Sequence, residues 1–495
     1  MAKKNLVLFY CDQIRRDALG CYGNLAARTA NIDALAARGI RFDNHYATNL
    51  VCMPSRASLM TGRYLQAHRV IDNGIALPRT EVTLAQTLAE AGYVTHAVGK
   101  MHLEPWGAPA ELGYEESFAL QESGRLDAWD GPYYGFERLE LALGHGESAY
   151  RQGGHYGRWV RRNFPEVGKL LGPRNADGPK CPELQCYRSR LPVEAHHSTW
   201  VARRAVEFLK TRGEEPFFLF VSFPDPHHPF TPPARYAEMF EGTEFPGPYR
   251  VPGENDGKPE HYRRAMRDKQ HPMDGGAHRP PALTDEVLRM VLGNTCGMVT
   301  LMDECIGKVL AQLEASGLAD ETVVIFTADH GDLLGDHYFL FKGPYPCRSL
   351  LHLPFVLFDP ELGSAAYDAV ISNIDVMPTA LELLGVPVPS GVQGVSFAPL
   401  CRGEGGEPRE GALESGWSKD GPQYYHHTLY RKDARISYFY NQRDGELYDL
   451  AADGHEHRNL FHDAGYANLR EEMLRELFEA VLRAEPPNVP VVAPW

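Results

Sequence analysis

The chain has 495 residues, of which 65 are acidic and 50 are lysine or arginine, and its formal charge is −15 at pH 7. Binding to nucleic acid or to an anionic membrane surface needs a clustered excess of positive charge, so this composition argues against both partners. No segment reaches the roughly 18 consecutive apolar residues of a membrane span. Nine scattered cysteines and an N-terminus without a secretory apolar stretch predict a reduced, cytoplasmic protein.

Strands and helices are predicted to alternate through the first two thirds of the chain. Short apolar runs indicate strands at 6–10, 93–98, 216–223 and 322–327. Helical spacing indicates helices at 31–38, 83–91, 198–211 and 283–315. This alternation predicts an α/β fold with a large, mostly parallel sheet sandwiched by helices.

Two long segments, 104–194 and 245–281, interrupt the alternation and are rich in Gly, Pro, His and Tyr. We expect them to pass over the sheet edge and to shape a binding site or an oligomer contact. The composition changes again near 386, which predicts a large domain at 1–385 and a smaller α+β subdomain at 386–495. That subdomain should contain a small antiparallel sheet, a helix at 469–484 and an extended apolar tail, and the tail predicts a homo-oligomer.

Cys52 begins the segment Cys-Met-Pro-Ser-Arg-Ala-Ser-Leu-Met-Thr-Gly-Arg. The run after it favours a helix, so Cys52 should lie just before a helix N-terminus. Backbone N–H groups and the positive end of the helix dipole would then face an anion bound there. A buried structural thiol is the alternative interpretation for a cysteine without such surroundings.

Three of the predicted strands end in residues that bind metals or anions. These residues are Asp12 with Gln13, Lys100 with His102, and Asp329 with His330. The carboxyl ends of parallel strands share one sheet edge, so these side chains should converge. Two carboxylates, an amide oxygen and an imidazole suit Ca²⁺, Mg²⁺ or Mn²⁺ better than Zn²⁺. Alternatively, the two aspartates only cap the helices that follow them.

The Cys52 segment resembles the C-x-P-S-R-x-x-x-x-T-G-R signature of the type I sulfatases, formylglycine-dependent members of the alkaline phosphatase superfamily. The resemblance implies that a maturation enzyme oxidises Cys52 to Cα-formylglycine, and that the fold is that of alkaline phosphatase and the sulfatases. It also implies one divalent metal ion, Ca²⁺ first and Mn²⁺ or Mg²⁺ as alternatives. The metal ligands that it implies are Asp12, Gln13, residue 52, Asp329 and His330. Many relatives have Asp and Asn where this chain has Gln13 and His330.

The resemblance further implies six catalytic residues, namely Cys52, Arg56, Lys100, His102, His227 and Lys342. Arg56 would hold the formylglycine hydrate, and the two lysines would bind sulfate. One hydroxyl of the hydrate would attack sulfur while His227 or Lys342 protonates the leaving alcohol. His102 would then deprotonate the second hydroxyl, so that sulfate is expelled. We interpret two other histidines, His228 and His337, as structural, with contact to a residue of the site as the alternative for His228.

The predicted function is a sulfuric ester hydrolase that acts on a small sulfate monoester. A phosphonate monoester or phosphodiester hydrolase is the nearest alternative, because Gln13 and His330 resemble that group; Ser55, Lys100 and His102 favour the sulfatase. A third alternative is a non-catalytic binding or scaffolding protein. Such a relative would be expected to lose Cys52, Arg56 or a metal ligand, and this chain retains them. Aromatic residues in 104–194, such as Trp106, either stack on a substrate ring or pack the segment itself. Aryl, sugar and choline-type sulfates all remain open.

Overall fold

The computed structural model describes residues 3–268, 283–418 and 420–485. The predicted tail at 486–495 and part of the predicted 245–281 segment lie outside these ranges.

The described strands form one large sheet, one smaller sheet and a short ribbon. In chain order the strands are β1 (Asn5–Asp12), β2 (Ile40–Tyr46), β3 (Val94–Gly99), β4 (Arg138–Leu141), β5 (Lys180–Cys181), β6 (Cys186–Tyr187), β7 (Phe217–Pro226), β8 (Thr322–Ala328), β9 (His352–Phe358), β10 (Ala365–Ser372), β11 (Ala412–Gly416), β12 (His426–Tyr430), β13 (Ala434–Phe439) and β14 (Asp444–Asp449). The large sheet has eight strands in the order β10-β2-β9-β8-β1-β7-β3-β4. Among these eight, β9 runs antiparallel to both of its neighbours and the other pairs are parallel.

Helices cover both faces of this sheet and pack on the smaller one. In chain order the described α-helices are α1 (Ala30–Arg38), α2 (Cys52–Thr61), α3 (Leu65–His68), α4 (Leu84–Glu90), α5 (Phe118–Glu122), α6 (Gly154–Asn163), α7 (His197–Thr211), α8 (Ala234–Glu238), α9 (Glu260–Asp268), α10 (Asp285–Ala315), α11 (Arg348–Leu351), α12 (Val376–Leu383), α13 (Ala398–Cys401) and α14 (Ala467–Ala484). All eight predicted strands and helices of the first two thirds are present, with ends shifted by a few residues.

Strand β1 shows why the sheet is covered on both sides. Successive side chains of a strand point to opposite faces. Val7 and Phe9 join one apolar core with residues of α1, α7 and α10, whereas Leu6 and Leu8 join a second core with residues of α2, α4 and α12. Every residue of β1 is buried, which explains its continuous apolar run. The predicted α/β sandwich is therefore confirmed.

The 104–194 segment enters the large sheet, contrary to the expectation that it only passes over the edge. Its strand β4 pairs in parallel with β3 and forms one end of the sheet. Only Leu139 and Leu141 of this four-residue strand are buried, so its apolar pattern is too short to indicate a strand in the sequence. Strands β2, β9 and β10 are likewise absent from the predicted elements.

The C-terminal part forms the antiparallel sheet β11-β12-β13-β14, on which α14 packs through Met473 and Leu477. This arrangement confirms the predicted smaller α+β unit, while the boundary between 385 and 386 stays a prediction. Within the described ranges, every helix is too short or too polar to cross a lipid bilayer.

Candidate active site

Four neighbouring strands of the large sheet deliver the predicted site residues to one edge. In the order β8, β1, β7, β3, these strands lead to Asp329, Asp12, His227 and Lys100 respectively. Each residue is the last of its strand or follows it directly, and the strands are parallel, so the four side chains converge. The predicted convergence at the carboxyl edge is what the structure shows.

Helix α2 presents position 52 to this edge. The sequence analysis placed Cys52 just before the helix. In the structure, Cys52 is instead the first residue of α2. Pro54 lies in the first turn, where its missing N–H removes no helical bond, and the Met53 N–H donates to Asn73 Oδ1 at 3.0 Å. Gly62 ends the helix with a left-handed φ of 63°. The spacing of the motif thus fixes a short helix with Cys52 at its start.

Ser55 and Arg56 connect this helix to the strand ends. Ser55 Oγ donates to the backbone oxygen of Asp329 at 2.6 Å, and Arg56 Nε donates to Asp329 Oδ2 at 2.9 Å. Arg56 Nη1 donates to the Lys100 backbone oxygen and to Ser222 Oγ, both at 3.0 Å. Among the described residues, buried Arg56 Nη2 has no hydrogen-bond partner. Arg56 thus reaches the site through Asp329, and its predicted contact with a residue-52 hydrate stays a prediction.

Asp12, Cys52, Asp329 and His330 form a set with the spacing of metal ligands. One ligand atom from each lies within 4.8 Å of the others, and all four residues are buried. Cys52 Sγ lies 3.2 Å from His330 Nε2 and 3.5 Å from Asp12 Oδ1. His330 Nδ1 lies 2.8 Å from the carbonyl oxygen of Gly331, so Nδ1 carries the proton and Nε2 keeps its lone pair for the group. These donors fit one divalent cation of the hard or borderline kind.

Gln13 lies beside this set, but its amide has other partners. Its Oε1 accepts from Lys342 Nζ at 3.0 Å, and its Nε2 donates to the Asp332 carboxylate and lies 3.1 Å from His228 Nδ1. Burial raises the pKa of Asp332 to about 6. The role of Gln13 as a metal ligand therefore stays a prediction.

The two histidines interpreted as structural differ in the structure. His228 contacts Gln13 and therefore borders the site. His337 bonds Glu254 at 2.8 Å in a separate group of side chains. The ring of His228 also packs on the ring of Phe341, the residue that precedes Lys342, at a centroid distance of 4.3 Å.

Positive charge faces position 52 from the opposite side. Lys100 Nζ lies 2.5 Å from Asp12 Oδ2, and Lys342 Nζ lies 3.5 Å from Cys52 Sγ. Burial acts to raise the pKa of Asp12, but Lys100, His227 and His145 together outweigh it and hold that pKa well below its usual range. Burial and Asp12 act to raise the pKa of the Cys52 thiol, yet Lys100, Lys342 and His330 together leave it lowered. An anion at position 52 is therefore stabilised.

His227 is a neutral imidazole held by Lys342. Its Nδ1 lies 2.5 Å from the backbone oxygen of His228 and must donate, because a carbonyl oxygen only accepts. Its Nε2, 2.7 Å from Lys342 Nζ, therefore accepts from the ammonium group. Burial lowers the pKa of His227 well below 6.5, with His145 and Lys342 adding to the effect. The mobile proton of this pair thus resides on Lys342.

His145 is a site residue that the sequence analysis missed. Its Nε2 lies 2.9 Å from Lys100 Nζ and 3.0 Å from Asp12 Oδ2, and its ring stacks on that of His227 at a centroid distance of 3.6 Å. Its side chain is 17% exposed, so it borders the opening of the site. The local signal is weak, a histidine between two glycines in the 104–194 segment, and no motif spacing marks it.

His102 lies two residues beyond Lys100 in a loop with a left-handed φ of 55°. Its ring stacks on Trp106 at a centroid distance of 4.0 Å, and its buried Nδ1 has no hydrogen-bond partner in the described part of the chain. The structure thus places His102 next to the lysine side of the site. Its predicted action on residue 52 stays a prediction.

Comparison with known proteins agrees with this geometry. The family model described as Sulfatase matches residues 4–386, and the one described as N-sulphoglucosamine sulphohydrolase, C-terminal, matches residues 345–483. The multifunctional alkaline phosphatase superfamily protein PehA of Trinickia caryophylli is 30% identical over 95% of this chain and 93% of its own length. An arylsulfatase of Clostridium perfringens is 28% identical over 96% of this chain and 94% of its own.

The fold is shared with solved structures as well. A phosphonate monoester hydrolase of Agrobacterium radiobacter superposes with a TM-score of 0.81 at 24% identity, over 97% of this chain and 96% of that one. At this identity the likeness shows the fold alone. The match of the Sulfatase model to most of the chain carries the assignment to a family. The chain belongs to the type I sulfatases of the alkaline phosphatase superfamily and is a sulfatase enzyme.

Proposed function

We propose that this sulfatase hydrolyses small aryl or sugar sulfate monoesters with a formylglycine made from Cys52 and one divalent cation. The observation that carries the proposal is the position of Cys52 Sγ, 3.5 Å from Asp12 Oδ1, 3.2 Å from His330 Nε2 and 3.5 Å from Lys342 Nζ. Residue 52 thus lies between a set of metal ligands and a lysine. Both neighbours would stabilise the negative charge that develops when a nucleophile attacks an anionic ester.

The charges of the site support an anionic substrate. Asp12 and Asp329 are countered by Arg56, Lys100 and Lys342, an excess of one positive charge among these five groups, which the Asp332 carboxylate behind Gln13 offsets in part. A divalent cation would make this excess larger. In a chain with a net charge of −15, such a pocket would draw an anionic ester to residue 52 and not to the surface.

The proposed ligands of the cation are Asp12, Gln13, residue 52, Asp329 and His330. When bound, the cation would supply Lewis acidity toward an oxygen on residue 52 and toward the ester. We propose Ca²⁺, with Mn²⁺ or Mg²⁺ as alternatives, because most of the donors are oxygen atoms.

The chain's own residues would handle the remaining steps. The hydrated aldehyde at residue 52 supplies the hydroxyl that attacks sulfur. Lys100 and Lys342 bind the sulfate oxygens, and the Lys342–His227 pair delivers a proton to the departing oxygen, since its mobile proton lies on Lys342. We propose His102 as the base that takes a proton from residue 52 when sulfate is released.

The test is a comparison of an aryl sulfate with an aryl phosphonate, using one enzyme preparation. The proposal predicts a higher kcat/KM for the sulfate, and loss of both activities in Cys52→Ser. A clear preference for the phosphonate would assign the chain to the second candidate, a phosphonate monoester or phosphodiester hydrolase. Gln13 and His330 favour that candidate, because the residues at these two positions resemble those of that group.

The remaining predictions concern the setting of the enzyme. We propose that a formylglycine-generating enzyme acts on the motif at residues 52–63, that the protein is cytoplasmic and that it forms a homo-oligomer. We also propose the division into a catalytic domain at 1–385 and a C-terminal subdomain at 386–495.

A further inference from the structure

A single carboxylate organises the loop that carries His102. Glu116 is fully buried. Three consecutive backbone N–H groups donate to it: His102 N at 2.7 Å to Oε2, Leu103 N at 2.7 Å and Glu104 N at 3.2 Å to Oε1. Such convergence of backbone N–H groups on one carboxylate is an anion-binding turn of the kind that stabilises a negative charge in the interior.

Two side chains complete the set of donors. Trp106 Nε1 donates to Glu116 Oε2 at 3.0 Å, and the Tyr133 hydroxyl donates to Oε1 at 2.5 Å. Five hydrogen bonds thus satisfy both oxygens. Among the described residues, no lysine, arginine or histidine forms an ion pair with Glu116, so these neutral donors compensate its charge.

The bonds are concentrated on the catalytic side of the loop. Four of the five donors belong to residues 102–106, and the Trp106 ring that Glu116 fixes is the ring on which His102 stacks at 4.0 Å. The left-handed φ of 55° at His102 is unfavourable for a residue with a side chain. The surrounding contacts must therefore hold it in place, and Glu116 contacts both the backbone and the stacking partner of His102.

We propose that Glu116 is a positioning residue for His102. It fixes the backbone and, through Trp106, the ring plane of His102 relative to residue 52. This inference rests on the proposed function, in which His102 takes the proton from residue 52 as sulfate is released. Misplacing a catalytic group by about 1 Å is enough for a large loss of rate.

The test uses Glu116→Gln, with Glu115→Gln as the matched control. Glu115 is the neighbouring acid, and its carboxylate pairs with Arg79, which also pairs with Glu104; among the described residues the Glu115 carboxylate has no hydrogen bond or ion pair with His102, Trp106 or Glu116. We expect Glu116→Gln to lower kcat and KM together, each about 10- to 100-fold, so that kcat/KM changes little, because the loss affects a step after the alcohol has left. Glu115→Gln should keep both constants near those of the wild type.

Pre-steady-state kinetics separates positioning from simple loss of structure. The substrate is an aryl sulfate, whose leaving alcohol is a phenol. His102 is proposed to act after this phenol has left, so the Glu116→Gln variant should still release about one equivalent of phenol per site in a fast burst before slow turnover. A burst amplitude that falls in proportion to kcat would mean that a fraction of the protein is misfolded, and would overturn the proposal.

A double-mutant cycle with His102→Ala gives the second criterion. If Glu116 acts through His102, adding Glu116→Gln to His102→Ala should lower kcat by less than about 2-fold further. Multiplication of the two losses would overturn the proposal. If Glu116→Gln does not fold, Trp106→Phe replaces it. This change keeps an aromatic ring but removes the Nε1–H donor to Glu116. It should lower kcat about 3- to 5-fold in the wild-type background and leave kcat unchanged in the His102→Ala background.

Failure of the proposed function gives a different result. If His102→Ala itself shows neither a lower kcat nor a burst, then His102 does not act on residue 52, and the assignment of His102 fails first. If His102→Ala shows both effects but Glu116→Gln shows neither, then only the inference about Glu116 is wrong.

Discussion

The two sides of the active site are built from different parts of the fold. The side with the proposed metal ligands comes from the end of β1, the residues directly after β8 and the start of α2, and Asp12, Cys52, Asp329 and His330 are all at most 1% exposed. On the cationic side, Lys100 and His227 also follow strands directly, but Lys342 and His145 come from longer loops; Lys342 is 9% exposed and the side chain of His145 is 17% exposed. Ligands of one ion need a fixed geometry, which strand ends and a helix provide. Loops suit the side that meets the variable part of a substrate.

This comparison predicts the largest effect for position 52. Cys52→Ser should lower kcat about 10⁴-fold or more, since it removes the group from which the nucleophile is made. Cys296→Ser on α10 is the control, because that cysteine lies outside the site, and it should keep normal activity. The assay is steady-state hydrolysis of an aryl sulfate. Multiple turnovers by the Cys52→Ser variant at near wild-type rate would refute the scheme.

Lys342→Gln should have the next largest effect. The change removes the ammonium group that lies 3.5 Å from Cys52 Sγ and 2.7 Å from His227 Nε2, so it removes both a charge and the proton of the pair. A loss of about 10²- to 10³-fold in kcat/KM is expected. The control is the exposed Lys308→Gln. The loss should shrink with substrates whose leaving group has a low pKa, because these need no proton; an equal loss for all leaving groups would contradict the proton-donor role.

His145→Ala tests whether the outer, cationic side selects the substrate. His145 contacts Lys100 and the ring of His227 but borders the opening, so we expect KM to rise about 10-fold with a smaller change in kcat. The exposed His462→Ala serves as control. An unchanged KM across a panel of aryl and sugar sulfates would show that this side does not distinguish substrates.

The smallest expected effect is on stability: removal of the cation should lower the Tm. Two buried carboxylates and an imidazole gain a partner when a cation binds the folded protein, so adding Ca²⁺ or Mn²⁺ to chelator-treated protein should raise the Tm by a few degrees. Asp329→Asn should abolish this increase. The same rise in Asp329→Asn as in the wild type would place the binding of the cation elsewhere.

The metal-ligand side could largely be predicted from the sequence, and the reason is physical. Parallel strands with continuous apolar runs are recognisable, and whatever follows them must meet at one edge; this applies to Asp12 and Asp329, and equally to Lys100 on the cationic side. The helix of the Cys52 motif was also predictable, because Pro54 and Gly62 mark its first turn and its end.

The rest depends on long-range packing that local pattern does not encode. His145 reaches the site because β4 brings the 104–194 segment to the edge of the sheet, and a strand of four residues leaves no recognisable period. Glu116 is one of two adjacent glutamates, and nothing local shows which of them is buried. The contact of His228 with Gln13 depends on how two loops meet, so it could not be predicted from either loop alone.

The most direct measurement is the mass of the tryptic peptide that spans residues 42–56, taken from protein made in its native host. We predict that residue 52 in active protein has the mass of formylglycine and reacts with an aldehyde-specific hydrazine. Fully active protein in which every copy of this peptide retains an unmodified thiol at residue 52 would contradict it.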